Sequence, residues 1–333
     1  LGIAAGLEFR RETFRDDRDP RLDGTITFTD MVSGAFSGSD VMGSSPTPDT
    51  SGDRNVRSAF AELGVPLVSR SMQVPLVRSL EMQIAGRWEH YDMAGSVVTP
   101  KVALSWQPTD WVKLRTAWSE GFRAPNLPQL FEQGVERSNT RTDYVRCEAD
   151  LRAGRITSFD DCTRSQGVIS VRSGSKELKP EDSENFTAGI VFQPTFLPVR
   201  AGDLVVTADY WRVEQEEIVG IFGDANALAL DYLLRVQGSS NPNVLREAPT
   251  QADIDAFAGT GLEPVGEIIS VSDNYMNLLP RKVEGLDLTL VYSLKGTRFG
   301  NFDFKANAAK LLTFFQQPSE DAAAVIAAQQ AGL

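Results

Sequence analysis

The chain has 333 residues, 41% of them hydrophobic and 23% charged, with 27 glycines, 17 prolines, a single histidine and a formal net charge of −12. It has no run of about eighteen apolar residues, which argues against a helical membrane protein, and its charge argues against a nucleic-acid binder, which needs a basic face. The composition suits a folded, loop-rich chain rather than a disordered one.

The chain opens at Leu1-Gly2-Ile3 in a strand-like pattern, without a basic leader or an initiating methionine, and ends on "AAAVIAAQQAGL". Both ends read as cut, so a piece of a longer protein is expected. Nine strands are predicted near 2–14, 54–66, 79–91, 98–107, 111–120, 183–193, 203–216, 268–294 and 301–316. Their signal is strict alternation. Leu80, Met82, Ile84 and Trp88 oppose Glu81, Gln83, Arg87 and Glu89. Val112, Leu114, Thr116 and Trp118 oppose Lys113, Arg115, Ala117 and Ser119. Leu286, Leu288, Leu290, Tyr292 and Leu294 share a face, as do Phe302, Phe304, Ala306 and Ala308. Such strands have one apolar and one polar face.

Between these strands lie three long gaps, 15–53, 121–182 and 217–267. The second follows an abrupt stop at Arg123-Ala124-Pro125-Asn126, is rich in charge and Ser/Thr, and shows no element of its own. Pro125 and Pro128 end ladder pairing because proline has no amide donor. Arg123 stands at the strand rim with Glu181 as candidate partner; the alternative is two solvated charges. Cys147 and Cys162, the two cysteines, both lie in this gap without a histidine nearby. They are expected to form a local disulfide in an oxidising compartment, the alternative being two unpaired loop thiols. In the third gap, "DANALALDYLLRVQG" (224–238), with an Asp cap and a terminal Gly, and "TQADIDAF" (250–257) read as short helices.

A soluble sandwich and a transmembrane barrel both produce one-sided strands. Three features favour the barrel. Short turns alternate with long loops, except at the link "DMAGSV" after the third strand. The segment 268–294, read as one strand, exceeds the roughly 9–11 residues of a membrane crossing. Trp106 and Trp111 flank the turn at 107–110, and Trp88, Tyr91, Tyr210 and Trp211 lie near strand ends, as in an interfacial aromatic girdle. The polar face would then offer Glu81, Glu89, Lys113, Arg115, Asp209, Asp287, Asp303 and Lys305 to a hydrated lumen. No nucleophile elbow, HExxH motif or metal constellation is present, so no enzyme and no cofactor are expected.

The stretch "TPKVALSWQPTDWVKLRTAWSEGFRAPNLPQLFE" (99–132), with its Phe-Arg-Ala-Pro box, resembles the barrel of TonB-dependent outer-membrane receptors. So do Leu178-Lys179-Pro180-Glu181 with "SENFTAGIVF", "AFAELGVPLV" (59–68), "RWEHYDMAGSVVTPK" (87–101) and "VEGLDLTLVYSL" (283–294), in register along the chain. The resemblance implies an all-β, antiparallel transmembrane β-barrel fragment, about nine strands of a 22-stranded barrel, with long extracellular loops. Residues 1–333 would be middle-to-late barrel; the family's N-terminal Ton box, plug domain and final strands are not visible in it. The implied function is uptake of a scarce nutrient (siderophore, vitamin, oligosaccharide or peptide) across the bacterial outer membrane, with partners in the TonB complex, the protein's own plug and outer-membrane lipid. A passive porin or structural barrel is the alternative. Phe122, Arg123, Asn126, Tyr144 and Arg146 are the candidate substrate contacts, set against a purely structural role in the loop. His90 alone offers no haem-type pair of histidines.

Overall fold

The structure is a computed structural model. It describes residues 1–332 apart from residues 30, 32, 33, 35, 42 and 43, so those parts of the 15–53 gap, and residue 333, lie outside the described residues. Nine strands form one antiparallel sheet in which each pairs only with its sequence neighbours. They are β1 (Gly2–Asp16), β2 (Thr50–Val68), β3 (Ser79–Tyr91), β4 (Gly95–Thr109), β5 (Val112–Arg123), β6 (Glu181–Phe192), β7 (Asp203–Glu216), β8 (Arg281–Thr297) and β9 (Gly300–Gln316).

Register keeps the two chemistries apart, because directly opposed residues share a face. Asp209 stands opposite Gly189 and Asp287, and Leu290 opposite Val206 and Ala306. The eight charged residues expected on the polar face all fall there. On the other face Leu286, Leu288, Leu290 and Phe304 are 44%, 47%, 37% and 56% exposed. No second sheet or helix among the described residues covers them. At the turn edge, Trp111 packs edge-on to Phe192 and Phe196, ring centroids 5.8 Å apart in both cases.

The buried apolar clusters lie elsewhere, in the segments between strands. Val168, Leu228, Val244, Ile268 and Val271 form one cluster, and Val145, Ala149, Phe257 and Val265 another. These residues belong to a small folded unit, here called the cap. It contains a four-stranded sheet in the order 244–246, 268–272, 165–172, 135–142. Packed with it are α2 (Tyr144–Arg152), α3 (Asp224–Val236) and α4 (Gln251–Phe257), while α1 (Leu127–Phe131) follows directly after β5. The 268–272 strand runs parallel to 165–172, so the two long connections are joined by a ladder. α5 (Glu320–Gln330) adds Val325 to the Ala229–Leu230 surface of α3.

Three expectations change. The 268–294 segment is not one strand: Ile268–Ser272 belongs to the cap, Met276–Leu278 pairs with Ile218–Gly220, and only Arg281–Thr297 joins the large sheet. The breaks have local causes. Asp273 turns its carboxylate to the Gly223 N–H at 2.8 Å, Asn277 bonds both the Lys179 N–H and its carbonyl, and Pro280 lacks a donor. Next, the 121–182 gap holds two helices and two strands, whose apolar positions are too short and scattered to show a period. Finally, α3 is found where expected, but Gly223 occupies its N-cap and Asp224 is its first helical residue.

Candidate functional site

The β1–β5 rim, on the polar face below the cap, gathers charge. On β1, Glu8, Arg10 and Glu12 recur at every second residue and share that face. Register places Glu12 opposite Arg54 and Glu8 opposite Ser58, which in turn faces Glu89. Arg54 is the centre: its Nε donates to Glu12 Oε2 at 2.6 Å, its Nη1 donates to the Pro125 carbonyl, and its guanidinium lies 4.9 Å from the Tyr91 ring centroid. The Arg54 side chain is only 9% exposed. The Tyr91 hydroxyl accepts from Arg10 at 2.9 Å and donates to Glu89 at 2.8 Å. Arg87 bridges Glu8 and Glu89. Arg10, Glu12, Arg54, Arg87, Glu89 and Tyr91, together with Gly121–Ala124, line a cavity of about 520 Å³.

The second half of the rim carries the expected Arg123–Glu181 ion pair. Glu181, whose side chain is 7% exposed, also accepts the Val219 N–H at 2.7 Å. One carboxylate thus holds the end of β5, the start of β6 and the chain leaving β7. Each guanidinium here has a carboxylate partner, which removes the penalty of a buried unpaired charge. The cavity therefore presents oriented donors, acceptors and two aromatic rings, and suits binding of a polar ligand.

Of the sequence-derived residues, the structure brings Phe122 and Arg123 to this cavity, with Phe122 edge-on to Tyr91 at 5.6 Å. Asn126 caps α1, its N–H donating to Gln129 Oε1 at 2.9 Å. Tyr144 and Arg146 are in the cap. Tyr144 packs on Tyr232 at 6.4 Å; Arg146 turns inward to Asp253 at 2.8 Å and the Val265 carbonyl at 3.4 Å. Cys147 and Cys162 form the disulfide, which ties α2 to the segment leading into 165–172. Arg10, Glu12 and Arg54 escaped sequence reading, Arg87 was read only as a polar-face residue, and Tyr91, expected in the aromatic girdle, is instead buried at this cavity. The available signal was charge alternating every second residue in Glu8-x-Arg10-x-Glu12 and Arg87-x-Glu89-x-Tyr91.

Buried charge also organises the cap. Arg246 spans Asp143 at 2.7 Å and Asp231 at 3.0 Å, linking α2, α3 and the 244–246 strand. The Arg164 guanidinium, opposing burial and aided by Arg155, holds the Asp150 carboxyl below its ordinary range.

A family model described as "TonB dependent receptor-like, beta-barrel" matches residues 2–325. Two forms of the heme/hemopexin utilization protein C of Haemophilus influenzae are similar to the chain. One is 24% identical over 153 residues, 42% of this chain and 18% of that protein. The other is 22% identical over 227 residues, 65% and 24% respectively. Among solved structures, the siderophore receptor PirA of Acinetobacter baumannii aligns with TM-score 0.52 and 14% identity, over 93% of this chain and 34% of that one. A mutant of the ferric enterobactin receptor PfeA of Pseudomonas aeruginosa aligns with TM-score 0.52 and 19% identity, over 93% and 32%. At such identities the structures attest the fold. The chain spans about a third of these structures and a quarter or less of the curated relatives.

Proposed function

The chain belongs to the TonB-dependent receptor-like β-barrel family, transport receptors of the Gram-negative outer membrane, and from that premise we propose that it supplies part of the wall and the ligand-capturing loops of a receptor that imports an iron carrier. The observation that carries this reading is the nine-stranded meander with one uncovered apolar face, whose long connections fold into a cap above a charged rim. The remaining strands and an internal plug complete the barrel, with the cap on the extracellular side. TonB supplies the energy for passage.

The relatives are named for siderophores, ferric enterobactin and haem. Within this segment the siderophore-type reading is the better one. His90 lies on the apolar face, stacked on Trp88 at 6.3 Å, so the rim receives no imidazole for a haem iron. The rim offers guanidinium donors instead, which suit the oxygen-rich periphery of an iron chelate.

The test is growth and uptake with the full-length protein. Cells lacking the gene should fail to import a ferric siderophore under iron limitation, and removal of TonB should abolish import by the restored protein. Import that persists without TonB would identify a passive barrel and overturn the reading.

A further inference from the structure

The polar face is not polar throughout. At the loop end of β7–β9, register sets Val213, Val283 and Phe314 in one cross-strand row and Trp211, Gly285 and Leu311 in the next. All share the face of Asp209 and Asp287, which follow two residues further down the same strands. The first row runs on through Asn185, Ser119 and Lys101, so the apolar character is confined to these three strands.

Two features build this patch. The Trp211 indole lies across Gly285, where any Cβ would collide with it. A β-bulge in β9 does the rest: Glu284 pairs with Thr313 and Gly285 with Leu311, which leaves Leu312 unpaired. The extra residue resets the alternation, so Leu311 and Phe314 both reach the lumen side, 56% and 61% exposed. At the upper edge the Arg281 guanidinium lies 5.8 Å from the Phe314 ring centroid and donates to Gln316 Oε1 at 2.9 Å, with no carboxylate partner among the described residues. The row Gly121–Ser183–Gln215–Arg281 joins it to the charged cavity, three strand spacings or about 14 Å away.

We propose that this patch is a second subsite, which takes an apolar aryl or acyl arm of the imported chelate with Arg281 on an oxygen at the root of that arm, and that the ligand is an amphipathic chelate of low net charge. The charges of the rim point the same way. Arg10, Arg54, Arg87 and Arg123 are matched there by Glu8, Glu12, Glu89 and Glu181. A polyanionic chelate would meet as many carboxylates as guanidiniums, and Arg281 adds a single cation. An exposed aromatic and aliphatic surface on a hydrated wall, with one convergent charge, fits a ligand with an apolar portion. The inference rests on the iron-carrier reading and narrows its ligand.

The experiment measures binding to the full-length protein in detergent by calorimetry, with gallium in place of iron. The probes are a neutral tris-hydroxamate chelate, the same chelate bearing a benzyl or octanoyl arm, and a polyanionic tris-catecholate chelate. The armed neutral chelate should bind about tenfold more tightly than the armless one, with little dependence on salt. Phe314→Ser, at an exposed position, and Trp211→Ala should each erase most of that advantage and leave armless binding unchanged, while Trp211→Phe restores part of it. Arg281→Gln should weaken both neutral chelates less than either of those changes weakens the armed one. Equal binding of armed and armless chelates overturns the proposal, as does tighter, salt-sensitive binding of the tris-catecholate. If Phe314→Ser and Trp211→Ala lower the melting temperature without ligand and leave the arm's advantage intact, the plug occupies the patch and the subsite is refuted. Binding of chelates without arm preference loses only the subsite; binding of none of them, with no import of iron, loses the iron-carrier reading as well.

Discussion

Glu181 and Arg123 form one ion pair, yet they are not equivalent. The Arg123 side chain is 61% exposed, whereas Glu181 is buried and also accepts the Val219 N–H. Arg123→Ala should therefore cost the more, about 3 kcal/mol, because it leaves the buried Glu181 carboxylate without its cation. Glu181→Ala should cost about 2 kcal/mol, because it orphans a buried amide. Thermal melts of the full-length protein in detergent measure both, and equal losses would refute the asymmetry. Asp150 carries a pH dependence. Its carboxyl titrates lower in the folded cap than in the unfolded chain. The stability it contributes is present above the unfolded value of about 3.9 and is lost as pH falls through the folded one. Cap protection from hydrogen exchange should fall with acidification below about pH 4, and Asp150→Asn should flatten that slope.

At the scale of elements, the cap is held by cross-connection contacts rather than by long helices. The disulfide joins positions fifteen residues apart, a loop worth about 3 kcal/mol in the chain-entropy account. Reduction should raise protease cleavage between residues 153 and 164 while leaving β1–β9 protected; limited proteolysis with and without reductant decides it. Val271, fully buried on the strand that pairs in parallel with 165–172, joins the two connections. Val271→Asp should loosen both together, since a buried unpaired carboxylate is strongly unfavourable. Loosening of one connection alone, read by hydrogen exchange, would show that the ladder does not couple them.

For the molecule as a whole, the decisive quantity is the solvent of the apolar face. Leu288→Arg at the middle of β8 should cost about 2–4 kcal/mol for folding into bilayers, and Asp287→Asn on the opposite face far less. Refolding into vesicles with a denaturant titration reads the difference. A hydrated apolar face would make Leu288→Arg neutral, and the membrane assignment would then fall.

Much of this architecture was legible without coordinates. Alternation at every second residue is a property of a strand and its immediate neighbours, so it marked the nine strands, assigned Leu288 and Asp287 to opposite faces, and located α3 and α4 through their own spacing. The Arg123–Glu181 pair was accessible because both residues sit at strand ends. Tertiary structure alone decided what depends on distant partners. The break of 268–294 follows from Asp273 and Asn277 bonding to residues about fifty and a hundred positions away, and the parallel ladder joins two separate connections. Arg54 gains its role because register sets it between Glu12, Tyr91 and Pro125. Local sequence encodes a residue's conformational preference and its face; which groups meet is settled only when the chain closes on itself, since burial and pairing depend on neighbours that no sequence window contains.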